Sequence, residues 1–209
     1  MTAARDEILR RVRAAKGPVP APVARAYRTS GTLAADARIA LLHERLVDYR
    51  ARVERGLEEV LGELGGAGPI GVPPGLPADW RPPNAVEDDG LSAHELDRLA
   101  GVVTGCTVAI AETGTIVLAG GPAEGRRALT LVPDLHVCVV RTDQVVETVP
   151  EALAALRGLE HRPLTFVSGP SATSDIELKR VEGVHGPRRL VVVLIGSLAP
   201  AGNRPEEGG

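Results

Sequence analysis

The sequence predicts an α/β protein, a three-layer α/β/α sandwich built on a largely parallel sheet and preceded by an N-terminal helical extension. Two observations carry this. The runs His136-Val137-Cys138-Val139-Val140 and Leu190-Val191-Val192-Val193-Leu194-Ile195 are apolar without alternation, the pattern of strands covered on both faces. Around them, strand-like and helix-like segments alternate through the C-terminal half, as they do when helices flank a parallel sheet.

With 209 residues the chain fits one α/β domain and a short extension, long enough to bury a sizeable core. Only Tyr27, Tyr49, Trp80 and Phe166 are aromatic. The core must therefore come from Val, Leu, Ile and Ala, and no surface exists on which nucleic-acid bases could stack. A net charge of −3 gives neither nucleic acid nor an anionic membrane any global attraction. Cys106 and Cys138 stand apart, with no CxxC or Cys/His cluster. A cysteine-ligated iron–sulfur cluster or zinc site is not expected in this chain, and each cysteine reads as a small buried hydrophobe. No metal site is expected. With no leader-like start and no apolar run near 18 residues, the expected setting is the cytoplasm.

Residues 1–32 read as a short helix, Thr2–Ala15, and a linker holding Pro18, Pro20 and Pro22. Residues 33–197 form the α/β domain. It opens with Leu42, Leu46, Tyr49, Val53, Leu57, Val60 and Leu64 at spacings of three and four. This predicts one long helix from about Leu33 to Leu64, part of whose stripe is free to join a homodimer. Gly65–Asp89 reads as loop with one short strand at Pro69–Val72. Trp80 within it is either a lid over a ligand or a loop aromatic on the core edge. Ser92 and Glu95 set a capping box for a helix over Leu91–Gly101. Strands follow at Thr107–Ala111 and Ile116–Ala119, then a helical turn at Glu124–Leu131. The strand His136–Arg141, the helix Pro150–Leu159 and the strand Leu164–Ser168 come next. The helix Ser174–Val181 and the strand Arg189–Ile195 complete the domain. Residues 198–209 read as a disordered tail.

Ligands of open α/β sheets bind outside the carboxyl ends of the strands, which singles out three segments. In Glu112-Thr113-Gly114-Thr115, Glu112 is either a catalytic or ligand-orienting acid among hydroxyls, or a solvated residue of a hairpin turn whose φ > 0 Gly114 supplies. In Gly169-Pro170-Ser171-Ala172-Thr173-Ser174-Asp175-Ile176-Glu177 a strand empties into a hydroxyl-rich loop opening a helix. Such a place favours a phosphate or carboxylate. Thr173 or Ser174 could equally serve as a cap with Glu177 closing the box, and Asp175 and Glu177 oppose a strongly anionic ligand. In the third, His185-Gly186-Pro187, His185 is an acid/base group, a ligand anchor or a plain turn residue. His136 reads as a core residue. Arg126 and Arg127, in a Gly-rich loop, are either a carboxylate-recognising pair or an ordinary exposed arginine pair without function.

Taken in order, Ala111–Thr115, Pro133-Asp134-Leu135-His136, Ser168–Glu177 and Gly183-Val184-His185-Gly186-Pro187 resemble the signature of the LUD-domain family, the family of lactate utilisation protein C. The resemblance covers about Leu91 to Ile195. It implies a fold similar to that of ribose-phosphate isomerases, glucosamine-phosphate deaminases and class I CoA-transferases. It also implies a component of bacterial L-lactate oxidation to pyruvate. That component acts with two iron–sulfur partner proteins and is the small member without a cluster or other cofactor of its own. Glu112 two residues before Gly114 is similar in form to the catalytic glutamate of the CoA-transferases. The alternatives are therefore a free-standing enzyme acting on a sugar phosphate or CoA ester, and a ligand-sensing or scaffold protein assembled through the long helix.

Overall fold

A computed structural model describes residues 2–15, 26–170 and 186–196. The first elements are α1 (Thr2–Ala15), α2 (Ala35–Asp48), β1 (Arg52–Glu54), α3 (Leu57–Gly65), β2 (Ile70–Val72), β3 (Ala85–Glu87) and α4 (Ala93–Asp97). Then follow β4 (Gly101–Thr104), β5 (Val108–Ile110), β6 (Thr115–Leu118), α5 (Arg127–Leu131) and β7 (Leu135–Arg141). The last are β8 (Val145–Val146), α6 (Val149–Ala155), β9 (Thr165–Val167) and β10 (Arg189–Ile195). The expected helix Ser174–Val181, the linker prolines and the tail lie outside the described residues.

The two apolar runs are the centre of the molecule. β7 and β10 lie side by side, paired in parallel over seven residues. They sit within a six-stranded, wholly parallel sheet of order β1-β10-β7-β4-β2-β3. Their side chains divide strictly by parity. Cys138, Val140, Leu190, Val192 and Leu194 pack with Leu42 and Leu46 of α2. Val137, Val139, Val191 and Val193 pack with Val60 and Leu64 of α3. Both faces are covered, as the absence of alternation predicts.

A second sheet of order β8-β5-β6-β9 was not expected. Two strands of the first sheet feed it: β4 passes through Gly105-Cys106-Thr107 into β5, and β7 passes through a 3-10 turn, Thr142–Gln144, into β8. The Gln144 side chain ties the two crossings together. It donates to the Cys106 carbonyl at 2.6 Å and accepts from the Arg141 N–H at 3.0 Å. One face of the second sheet faces α2, and the other carries Ala152 and Leu156 of the α6 region against Val108, Ile110 and Val117.

The expected single helix over Leu33–Leu64 is a correction. It is two helices separated by an edge strand, and the reason is local. Arg50 adopts φ 64°, the Arg50 N–H bonds back to the Val47 carbonyl at 2.8 Å, and the Ala51 N–H to the Leu46 carbonyl at 3.0 Å. That is a Schellman ending with a non-glycine residue in the left-handed position. The apolar spacing continues through Tyr49 and Val53 by coincidence. The homodimer expected through that helix thereby loses the element on which it rested.

β3, β4 and β8 were also missed, whereas the Ser92–Glu95 capping box stands at the start of α4. Trp80 is buried in the core beside α3 rather than poised as a lid. On α1, Ile8 and Val12 are exposed. Among the described residues no helix is long and apolar enough to cross a membrane.

Candidate functional site

Glu112-Thr113-Gly114 closes the antiparallel β5–β6 hairpin. Gly114 has φ +57°, and a Cβ placed there would stand 2.7 Å from the Arg45 Cβ and 3.1 Å from its carbonyl carbon. The turn is thus pressed against α2, and only glycine fits. Gly114→Ala is expected to lose about 2 kcal/mol, from left-handed strain together with displacement of the α2 backbone. Urea unfolding measures this, and a loss within a few tenths of zero would refute it.

The hairpin carries a chain of hydroxyls. Thr113 donates to Thr115 Oγ1 at 2.8 Å, and Thr115 Oγ1 lies 2.8 Å from Ser168 Oγ. Ser168 arrives there because β6 and β9 are antiparallel with Ile116 opposite Val167. The next residue, Gly169, has φ +84° and lies against Tyr49, whose carbonyl oxygen is 2.8 Å from the position a Cβ would take. The structure therefore brings the described part of the second predicted segment against the first, with Pro170 half-buried beyond it. Ser171, Thr173, Ser174, Asp175, Glu177 and His185 lie outside the described residues. Gly186 is not brought to this place. It precedes the amino end of β10, and the nearest atom its missing Cβ would meet is Leu131 Cδ2, at 3.8 Å.

Glu112 has a setting the sequence did not reveal. Its carboxylate is paired with the Arg28 guanidinium, which also donates to Glu147 at 3.2 Å. Glu147 is buried and accepts the N–H groups of Thr32 and Leu33, each at 2.6 Å. Glu151 accepts the Gly31 N–H at 3.0 Å while closing a capping box with Thr148 at the start of α6. The Gly31 N–H is the largest of the contacts that hold its carboxyl below the usual range. Residues 28–33 are thus laid across the α6 terminus by two carboxylates. Two carboxylates around Arg28 outnumber its single charge. What this edge offers a ligand is one half-exposed carboxylate and a row of hydroxyls. Arg28 and Glu147 carry no motif, and only the Thr148-x-x-Glu151 box could have been read in advance.

His136 is a core residue, as read from the sequence. Its Nε2 lies 2.8 Å from Thr104 Oγ1. Since Thr104 donates its one hydroxyl proton to the Gly105 carbonyl at 2.9 Å, Nε2 must carry the hydrogen. Nδ1 has no partner, and burial lowers the imidazole pKa to about 4. The two cysteines, distant in sequence and both buried as expected, meet. Contact with Cys138 and then burial push the Cys106 thiol well up, so Cys106 is a thiol rather than a nucleophilic thiolate. Among the described residues no three His, Cys, Asp or Glu side chains gather as a metal site.

Comparison with known proteins places the chain. The LUD domain family matches residues 82–195. A lactate utilization protein C of Deinococcus radiodurans is 47% identical over 192 residues, 86% of this chain and 84% of that protein. The chain belongs to the LUD-domain family. A lactate utilization protein C of Bacillus pumilus is 38% identical over 92 residues, 41% of this chain and 38% of that one. An uncharacterised protein of Neisseria meningitidis is 38% identical over 95 residues, 44% of this chain and 40% of its own length. The crystal structure of a DUF162 family protein from Deinococcus radiodurans superposes with a TM-score of 0.68 at 42% identity, covering 79% of this chain and all of that one. The LUD-domain match runs from just before β3 to the end of β10. It contains Glu112, Thr115, Ser168 and Glu147, whereas Arg28, α2 and the edge strand β1 come from the segment preceding it.

Proposed function

We propose that this protein is a cytoplasmic component of L-lactate oxidation to pyruvate, the small LUD-domain member that works with two iron–sulfur proteins and holds no cluster itself. The observation that carries the reading is the 47% identity to a lactate utilization protein C along most of both chains. Relatives of that name from several bacilli support it. The ligand edge is the Glu112–Thr115–Ser168 group. A small 2-hydroxy acid suits it. Its hydroxyl donates to the Glu112 oxygen left free by Arg28, and its carboxylate accepts from the Thr115 or Ser168 hydroxyl proton.

The test is reconstitution of L-lactate oxidation from the two iron–sulfur proteins with and without this chain. Oxidation should require it, and Glu112→Gln combined with Thr115→Val should lower the rate roughly tenfold. Undiminished oxidation without the chain would sink the reading. Full activity of the double variant would remove the ligand edge but leave the pathway standing.

A further inference from the structure

We propose that Arg127 and Arg162 form a binding site for a phosphate monoester of a small organic molecule, separate from the Glu112 edge. The site is a pocket of about 350 Å³ at the far end of the β6–β9 ladder. Thr115 and Ser168 stand at one end of that ladder, and Leu118 faces Thr165 at the other. Three residues of strand, roughly 10 Å, separate the two places.

The charges around this pocket are unevenly used. Arg126, paired with Arg127 in one reading as a carboxylate recogniser, is taken. It donates twice to the buried Asp88, both at 2.8 Å, and again to the Leu91 carbonyl. Glu124 lines the pocket, but its oxygens already accept from Thr107, from Ala119 and from Gly121. Arg127, at the start of α5, and Arg162, in the loop before β9, face the same concavity from different elements. Among the described residues neither has a carboxylate partner. Two unspent guanidiniums are thus held at one hollow.

The chemistry of the forks selects the ligand class. A guanidinium donates in parallel to a two-oxygen edge. A monocarboxylate has one such edge, so only one arginine can meet it in parallel and a second is left to single, unpaired donation. A phosphate monoester has three terminal oxygens, so it offers an edge to each of two arginines and matches their charge. Leu118, Ala119 and Pro163 supply an apolar wall, and the volume exceeds that of bare phosphate, leaving room for an organic substituent. The inference does not depend on the lactate reading, since lactate is a monocarboxylate.

Calorimetric titration of the full chain with phenyl phosphate tests it, with inorganic phosphate and L-lactate as comparison probes. Saturable binding of phenyl phosphate is expected, tighter than that of either comparison probe. It should weaken roughly tenfold or more in Arg127→Gln and in Arg162→Gln and stay unchanged in Arg28→Gln, which alters only the other edge. Both arginines are exposed, and unchanged thermal melts of the two variants would show that the fold persists. Four outcomes would overturn the proposal: no saturable binding, equal affinity in the Arg127 and Arg162 variants, dependence on Arg28 instead, or L-lactate binding as tightly with the same arginine dependence.

Discussion

Lowering the pH from 6.5 to 4 is expected to weaken the fold by about 3 kcal/mol through His136 alone. In the unfolded chain the imidazole titrates near 6.5, whereas in the folded protein burial lowers this to about 4. Above 6.5 neither state binds the proton and the residue contributes no pH dependence. Between the two values the unfolded state takes up a proton that the folded state refuses, so stability falls with pH. Below about 4 both are protonated and the loss is complete. Asp88, Glu95 and Glu151 are also held below their ordinary values by their partners, so stability falls further in the acid range. The readout is therefore a difference between proteins. Urea unfolding of the parent and of His136→Leu, repeated from pH 7.5 to 4, should show the variant losing about 3 kcal/mol less. Leucine is tolerable there because Thr104 keeps its bond to the Gly105 carbonyl, and because the partnerless Nδ1 disappears with the ring. Parallel curves for the two proteins would refute the assignment.

Glu124→Ala is expected to cost about 3 kcal/mol at neutral pH. The side chain is 5% exposed and organises three separate groups. It accepts the Ala119 N–H at 2.6 Å, the Gly121 N–H at 2.9 Å and the Thr107 hydroxyl at 2.5 Å. The first two are backbone donors in the turn that leaves β6, and the third lies in the crossing from β4 to β5. Alanine would leave all three without a partner on the protein. Glu124→Gln keeps one acceptor oxygen but sets an amide against groups that donate, so about half of the loss should return. Chemical denaturation gives both numbers. A loss under about 1 kcal/mol for the alanine variant would mean that water from the adjoining pocket serves the donors equally well.

The parts of the fold legible in the sequence were those where one physical effect dominated. β7 and β10 are covered on both faces, so nothing but apolar residues is tolerated and the runs announce themselves. The Ser92–Glu95 box follows from the needs of a helix start and was met at the expected residues. β1 was hidden because it is an edge strand of two charged residues around Val53, with Arg52 bridging Glu54 and Glu63 at 2.7 Å. It was further masked by a helical spacing that only the Arg50 backbone interrupts. β4 follows α4 after three residues, so the expected helix ran to its first residue, Gly101, and the short apolar stretch 102–104 was left unassigned. The candidate site divides in the same way. The Glu112–Thr115 turn and its closeness to Ser168 and Gly169 follow from strand alternation and φ > 0 at glycine. Arg28 and Glu147 are joined across more than half the chain by a contact with no periodicity, and no local pattern foretells such a pair.

The strand order has a consequence for how the molecule is made. β10 is the last described strand, yet it lies between β1 and β7 rather than at an edge. During synthesis from the N-terminus, β1 has no neighbour to join, and β7 shows one unpaired flank, until Arg189–Ile195 leaves the ribosome. The nascent sheet is open one strand in from its β1 edge, and two strand edges wait for a single insertion that completes both. A message truncated before codon 189 would thus yield a product with a slot where its most apolar strand belongs, a ready template for pairing with another chain.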